Sequence, residues 1–92
     1  MNITDIKIRR IYLEGRMKAV VSVTIEDAIV IHDIKVIEVD GKTFIAMPSR
    51  RDEEGRFKDI VHPISAEARK QLEDQILAEY RKALSQFPAS ME

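Results

Sequence analysis

The stretch that decides the fold is Met17–Glu26, which reads MKAVVSVTIE. Apolar residues occupy every second position along it, and the positions between them are mostly polar. Because side chains alternate between the two faces of a strand, this pattern predicts a β-strand with one apolar face. Such a strand is typical of an antiparallel sheet that packs on one side and meets water on the other.

The segment before it, Ile3–Leu13, also alternates, but its apolar positions change parity at Arg9-Arg10. A change of parity within a strand predicts a β-bulge, which would redirect those two arginines. The short connection at 14–16 contains Gly15 and predicts a first hairpin that joins this segment to Met17–Glu26.

The segment after it, Asp27–Val39, is rich in β-branched residues and is apolar on both parities through Ile29–Ile31. Such a run indicates burial on two sides or a subunit contact. His32-Asp33 interrupts the run and predicts a bend or bulge. Asp40-Gly41 is a strong hairpin-turn signal that leads into a further strand at 43–49. Pro48 places the end of that strand at a sheet edge or beyond the sheet.

The last regular element is an amphipathic helix over Ala66–Leu84, with Ser65 as its N-cap. Its apolar stripe recurs every four residues, at Ala68, Leu72, Ile76, Tyr80 and Leu84. One helix with one stripe can cover one small sheet. We therefore predict an α+β fold, in which an antiparallel sheet of about four to five strands in hairpins is covered by one C-terminal helix. A single domain spans 1–84, and 85–92 form a frayed tail.

Composition narrows the function. The 92 residues include 15 basic and 16 acidic side chains, so net charge alone gives no support for nucleic-acid binding. Cysteine is absent, no apolar run is long enough to span a membrane, and the N-terminus lacks the order of a signal peptide. We expect a cytoplasmic protein without a membrane partner. A chain this short buries a small core, which favours a homodimer.

The segment Phe44–Pro63 carries the candidate site, with four basic residues around the acidic turn Asp52–Gly55. If that turn is a four-residue loop, Arg51 faces Arg56 and the strands form a hairpin. In that register Ser49 faces Lys58, Arg50 faces Phe57, and Arg51, Arg56 and Lys58 share one face. The candidate binding residues are Arg50, Arg51, Arg56 and Lys58, with Arg9, Arg10, Arg16 and Lys18 as further candidates.

Like charges placed opposite each other destabilise a hairpin unless an anion lies between them. The sequence leaves two alternatives for this anion. The acidic turn can fold back on the arginines, or a phosphate backbone can bind there, since arginine suits phosphate bidentately. The sequence is also compatible with two roles for Phe57, a stacking partner for a base or a buried hairpin anchor.

The residues offer little for catalysis. His32 and His62 lack metal-ligand spacing, and the chain has no cysteine and no serine in a nucleophile elbow. Its three glycines are isolated in turns, so no phosphate-cradling loop exists. We expect no enzyme, no metal, no cofactor and no small-molecule substrate.

Several stretches together resemble the SpoVG family, the bacterial stage V sporulation protein G or septation regulators. The most distinctive is Ala46-Met47-Pro48-Ser49 followed by Arg50-Arg51. Other matching stretches are Thr4-Asp5, Gly15–Ala19, Val30–Asp33, Val36–Glu38, Phe57–Ile60 and His62–Ile64. The resemblance covers roughly residues 1–84.

The resemblance implies a small dimeric α+β regulator that binds DNA and, in some members, RNA. The family's basic pair after Pro-Ser falls on Arg50 and Arg51, and its basic residue after the turn falls on Lys58. Arg56 comes from the hairpin geometry alone. The alternative hypothesis is a protein–protein adaptor that uses the same hairpin or an open sheet edge and binds no nucleic acid.

Overall fold

The computed structural model describes residues 1–86. Six strands and one helix follow in chain order: β1 Ile3–Ile11, β2 Met17–Ile25, β3 Ile29–Val39, β4 Lys42–Ala46, β5 Ser49–Arg51, β6 Phe57–Asp59 and α1 Ala66–Ser85. Strands β1 to β4 form an antiparallel meander in that order, and β5 and β6 form a separate two-stranded sheet. The predicted α+β fold is confirmed.

The strand predicted at 43–49 is two strands in the structure. Strand β4 ends at Ala46, and β5 begins at Ser49 after Pro48. Proline has no N–H to donate, so the ladder of the main sheet stops there. Pro48 was predicted to lie at a sheet edge or beyond the sheet, and it lies beyond the sheet.

Both predicted irregularities are present. In the β1–β2 ladder, Ile8 pairs with Val21 and Arg10 with Val20, so Arg9 is the extra residue of a bulge. In the β2–β3 ladder, Val21 pairs with Ile34 and Val23 with Ile31, so His32 and Asp33 share one partner position. Asp33 has a φ of 65°, in the left-handed region, which aspartate adopts more readily than most residues.

The core lies between α1 and one face of the four-stranded sheet. The sheet contributes Ala19, Val21, Val23, Ile34, Val36, Ile45 and Met47, and the helix contributes Leu72, Ile76, Leu77 and Tyr80. Each fully buried aliphatic side chain stabilises the fold by about 1.5–3 kcal/mol relative to exposure. No second layer of the described residues covers the opposite face of the sheet, which we call the open face.

The helix begins where predicted. The Ser65 hydroxyl accepts a hydrogen bond from the Ala68 N–H at 3.1 Å, which satisfies a donor of the first turn. The helix ends at Ser85, one residue later than predicted, so the first residue of the predicted tail is helical. The tail from residue 87 onward lies outside the described residues.

Helix α1 also closes one edge of the sheet. Strand β4 is an edge strand, and the Ile45 N–H donates to Glu73 Oε2 at 3.1 Å. Arg69 Nη2 donates to the Ile45 carbonyl at 3.1 Å. These two bonds occupy the outward backbone groups at the middle of β4, which hinders the addition of another strand there. Among the described residues, the outer edges of β1 and of the first half of β3 have no such cover.

Candidate nucleic-acid interface

The β5–β6 hairpin carries all four predicted binding residues, but its register differs by one residue from the prediction. Arg50 pairs with Lys58, Arg51 pairs with Phe57, and Ser49 pairs with Asp59. The predicted pairs of Arg51 with Arg56 and of Arg50 with Phe57 are wrong. The loop therefore has five residues, from Asp52 to Arg56, and Arg56 lies in it rather than in β6.

Asp52 explains the longer loop. Its Oδ1 accepts hydrogen bonds from the N–H groups of Glu54 and Arg56, each at 2.9 Å. Its own N–H donates to the Arg56 carbonyl at 2.8 Å, and its carbonyl accepts from the Gly55 N–H at 3.1 Å. Gly55 has a φ of 81°, a conformation that glycine adopts without steric cost. One aspartate thus ties the whole turn together.

The new register changes which residues share a face. Arg50 and Lys58 point to one side of the hairpin, whereas Arg51 and Phe57 point to the other. A common face for Arg51, Arg56 and Lys58 is therefore wrong. All residues of β5 and β6 are exposed to solvent, so both sides of the hairpin are accessible.

The acidic turn neutralises the later cations and not the arginine pair. Lys58 Nζ lies 3.6 Å from Asp52 Oδ2, and Arg56 Nε lies 3.9 Å from Glu54 Oε2. Among the described residues, Arg50 and Arg51 make no salt bridge. The Arg51 guanidinium instead lies 5.0 Å from the centre of the Phe57 ring, within cation–π range. Phe57 is 68% exposed, so the role of buried anchor is wrong.

A shallow groove of about 490 Å³ runs along this basic hairpin. It is lined by Arg50, Arg51, Asp52, Glu53, Lys58, Asp59 and Ile60. The pair Arg50–Lys58 places two positive charges directly opposite each other, a repulsion that Asp52 offsets only in part through Lys58. An isolated two-stranded sheet is itself marginally stable in water. An anion in the groove would offset both costs.

Both histidines make hydrogen bonds within the fold, His32 across the β2–β3 pair and His62 to its neighbour in the chain. His32 Nδ1 lies 2.9 Å from the Ser22 hydroxyl, and His62 Nδ1 lies 2.9 Å from the Pro63 carbonyl. Within residues 1–86 no group of three or more metal-ligating side chains comes together. No helix in the same range is long and apolar enough to cross a membrane.

Three basic residues of the open face, Lys7, Lys35 and Lys42, were not among the candidates from the sequence. They lie there together with Arg10, because Lys7 pairs with Ser22, Lys35 with Ala46 and Lys42 with Val39. For Lys35 and Lys42, the signal in the sequence is that their positions alternate with those of buried Val36 and Ile45. It becomes readable only once the bulge at His32-Asp33 and the turn at Asp40-Gly41 fix the register.

The fold and this site define a small α+β domain with an exposed basic hairpin. The chain is similar to proteins named "Putative septation protein SpoVG". The relative from Clostridium perfringens strain 13 is 60% identical over 82 residues, which cover 89% of this chain and 91% of the relative. The relative from Thermoanaerobacter pseudethanolicus is 54% identical over 92 residues, all of both chains. That from Heliobacterium modesticaldum is 53% identical over 85 residues, 92% of this chain and 96% of the relative.

The sequence profile of the SpoVG family matches residues 1–82. The chain belongs to the SpoVG family, and the predicted resemblance is confirmed.

Proposed function

We propose that this protein is a bacterial regulator, related to septation and sporulation, that binds the phosphate backbone of DNA or RNA through its β5–β6 hairpin. The name of its relatives supports the link to septation. The proposed residues are Arg50, Arg51, Arg56 and Lys58, and a protein that binds chromosomal DNA or transcripts acts in the cytoplasm. The proposal includes no catalytic role.

The observation that carries the proposal is the unpaired charge of Arg50 and Arg51. Both side chains are exposed, and neither has a carboxylate partner among the described residues, although three acidic residues lie in the adjoining turn. Arginine forks bind phosphate oxygens bidentately, and neutralised phosphates release counterions. Lys58 and Arg56 contribute less, because Asp52 and Glu54 already compete for them at 3.6 and 3.9 Å.

A gel mobility-shift titration with a DNA duplex tests this assignment. The double variant Arg50→Ala/Arg51→Ala should bind at least tenfold more weakly at low salt, and its log–log salt slope should be shallower by about 1.8, since each neutralised phosphate contributes about 0.9. The matched control is Arg81→Ala/Lys82→Ala, which removes two exposed cations from α1. Equal losses in both double variants would show that only total charge matters and would refute the hairpin as the site.

The adaptor alternative is favoured by the two outer edges that have no partner among the described residues, β1 and the segment Ile29–Asp33 of β3. The second of these edges is proposed below as the contact with a second copy. The β1 edge is interrupted by two bulges, at Thr4 and at Arg9. Bulges of this kind protect an edge against strand addition. The hairpin is therefore the better-supported site. If the protein left the gel mobility of every duplex and single strand unchanged, that result would favour the adaptor.

We also propose that the protein is a homodimer that pairs through β3. Strand β3 has eleven residues, but β4 pairs only with Lys35–Val39, so the outer edge of Ile29–Asp33 has no partner among the described residues. This free edge is apolar, with Ile29 64% exposed, and the exposed Ile60 lies beside it across a groove of about 340 Å³. An apolar unpaired edge is a template for a second strand. A two-fold axis would let the same segment of a second copy supply that strand.

A further inference from the structure

The open face of the sheet carries a regular set of basic side chains. Arg10 pairs with Val20, Val20 with Lys35, and Lys35 with Ala46, so one row crosses all four strands. Neighbouring strands lie about 4.8 Å apart, which places the backbones of Arg10 and Lys35 about 10 Å from each other. Lys7, which pairs with Ser22, lies in the next row of this face on one side of the Arg10–Ala46 row. Lys42, which pairs with Val39, lies two rows away on the other side.

Among the described residues, none of Lys7, Arg10, Lys35 and Lys42 makes a salt bridge. Three carboxylates lie in the four strands of this sheet. Asp5 is near one end of β1 and Asp33 is within the bulge of β3, whereas Glu38 has the parity of buried Val36 and so belongs to the other face. A sheet face with four free cations and acidic groups only at its margins attracts an anion.

An aromatic ring lies among them. Phe44 pairs with Ile37, is the diagonal neighbour of Lys35, and lies two residues from Lys42 on β4. Diagonal neighbours are about 7–8 Å apart and therefore within reach of long side chains. The Phe44 side chain is 38% exposed although no helix or loop of the described residues covers this face. Its ring can stack on a planar group while Lys35 and Lys42 contact charges beside that group.

We propose that the open face binds single-stranded nucleic acid, with an unstacked base on Phe44 and Ile37 and the phosphates on Lys35, Lys42, Arg10 and Lys7. Bases within a duplex are stacked on each other and cannot offer a face to a sheet, whereas those of a single strand can. The choice of a nucleic acid as occupant rests on the function proposed above. The open face adds to it a second surface with a preference for single strands.

A second copy of the chain is the other occupant to consider. Two open faces packed on each other around a two-fold axis would bring four cations against four, which is unfavourable without counter-charges. The free edge of β3 offers a second copy an apolar contact without that cost. Charge complementarity therefore favours the polyanion on the open face.

The test compares a labelled single strand of about 16 nucleotides with a duplex of the same length by fluorescence anisotropy. Phe44→Leu keeps an apolar side chain of similar size but loses the ring, and it should weaken single-strand binding about 5- to 100-fold while duplex binding changes less than about twofold. Phe44→Tyr should restore it. Lys35→Gln/Lys42→Gln should make the single-strand salt slope shallower by about 1.4.

The outcomes separate this proposal from the function on which it rests. The stacking surface would be overturned if Phe44→Leu lost affinity for single strand and duplex equally, or lost none. Wild-type protein that bound only the duplex would overturn it as well. A shift of these variants from dimer to monomer in sedimentation would assign the open face to a second copy and overturn it too. Single-strand binding that depends on Phe44 but not on Arg50 and Arg51 would support the open face, whereas the hairpin site stands or falls on the duplex titration of the Arg50→Ala/Arg51→Ala variant.

Discussion

At the scale of single residues, Asp52 determines the shape of the candidate site. Its Oδ1 holds two N–H groups of the turn, and its Oδ2 faces Lys58. The hydrogen bonds and the charge can be separated, because an asparagine keeps the oxygen acceptor and loses the negative charge. A net hydrogen bond contributes about 0.5–1.5 kcal/mol.

We therefore expect Asp52→Ala to loosen the turn and Asp52→Asn to keep it. The N–H groups of Glu54 and Arg56 should exchange with water about two- to tenfold faster in Asp52→Ala, because each loses its acceptor. Saturation transfer from water in NMR spectra measures this exchange. Exchange at equal rates in the two variants would mean that the carboxylate oxygen does not hold the turn.

Asp52 also explains why sequence alone placed the hairpin one residue out of register. The acidic run 52–54 before Gly55 is compatible with a four-residue and a five-residue loop. The choice depends on a side chain that accepts from the backbone of residue 56, four positions ahead. The Asp40-Gly41 turn was predicted correctly because its two residues adopt positive φ, 53° and 78°, and so determine the register by themselves.

Tyr80 gives the fold a dependence on alkaline pH. Burial raises the pKa of its hydroxyl above the ordinary value of 10.0, and the negative charge of Glu38 raises it further. The unfolded chain then loses this proton at lower pH than the folded protein. The stabilisation is fully present below about pH 10 and is lost as the pH rises through the raised pKa.

We expect the free energy of unfolding to fall with pH above about pH 10, and to fall less steeply in Tyr80→Phe. Urea unfolding at a series of alkaline pH values measures both slopes. Glu38→Gln, which removes the smaller cause and keeps the hydroxyl, should give an intermediate slope. Parallel slopes in wild type and Tyr80→Phe would show that another group governs the alkaline limit.

At the scale of elements, α1 both covers the core and closes the β4 edge. The Ile45 N–H and carbonyl are bound by Glu73 and Arg69, whose side chains lie 3.9 Å from each other. The apolar stripe of the helix predicted the packing of Leu72, Ile76 and Tyr80, which are buried. For Leu84 the stripe was wrong, because this side chain is 37% exposed. The edge contact was not predictable, because Arg69 and Glu73 look like an ordinary surface pair spaced by four residues.

Glu73→Ala should destabilise the protein by about 1–3 kcal/mol, because it leaves the partly buried Ile45 N–H without an acceptor. Glu73→Gln keeps an acceptor oxygen and should cost less. The control is Asp74→Ala, which removes an exposed partner of Lys70 and should cost about 0–1 kcal/mol. Urea unfolding of the three variants measures the differences. Equal costs for Glu73→Ala and Asp74→Ala would contradict a closing role for α1.

At the scale of the whole molecule, two different surfaces are accessible. The open face is basic, whereas the unpaired edge of β3 at Ile29–Asp33 is apolar. A polyanion and a second copy would therefore bind at different places and need not compete. From the sequence, the two-sided apolar run at Ile29–Ile31 indicated burial on two sides or a subunit contact. That this run forms an unpaired edge could not be predicted, because it depends on β4 ending at Ala46.

If two copies pair along β3, a lysine on that edge should separate them. We expect Ile29→Lys to sediment near 10.6 kDa and wild type near twice that mass, because a buried lysine would lose hydration at the contact. Leu13→Lys is the matched control, since Leu13 is an apolar residue of the β1–β2 connection with a similar exposed fraction, 61%. It should remain dimeric.

The same pair of variants links assembly to binding. Two hairpins held at a fixed distance bind one duplex more tightly than one hairpin does, because the second contact is intramolecular. Ile29→Lys should therefore lose duplex affinity while the Arg50 and Arg51 side chains are intact, and Leu13→Lys should not. A monomeric Ile29→Lys with wild-type affinity would mean that each hairpin binds independently. A dimeric Ile29→Lys would place the subunit contact elsewhere than on β3.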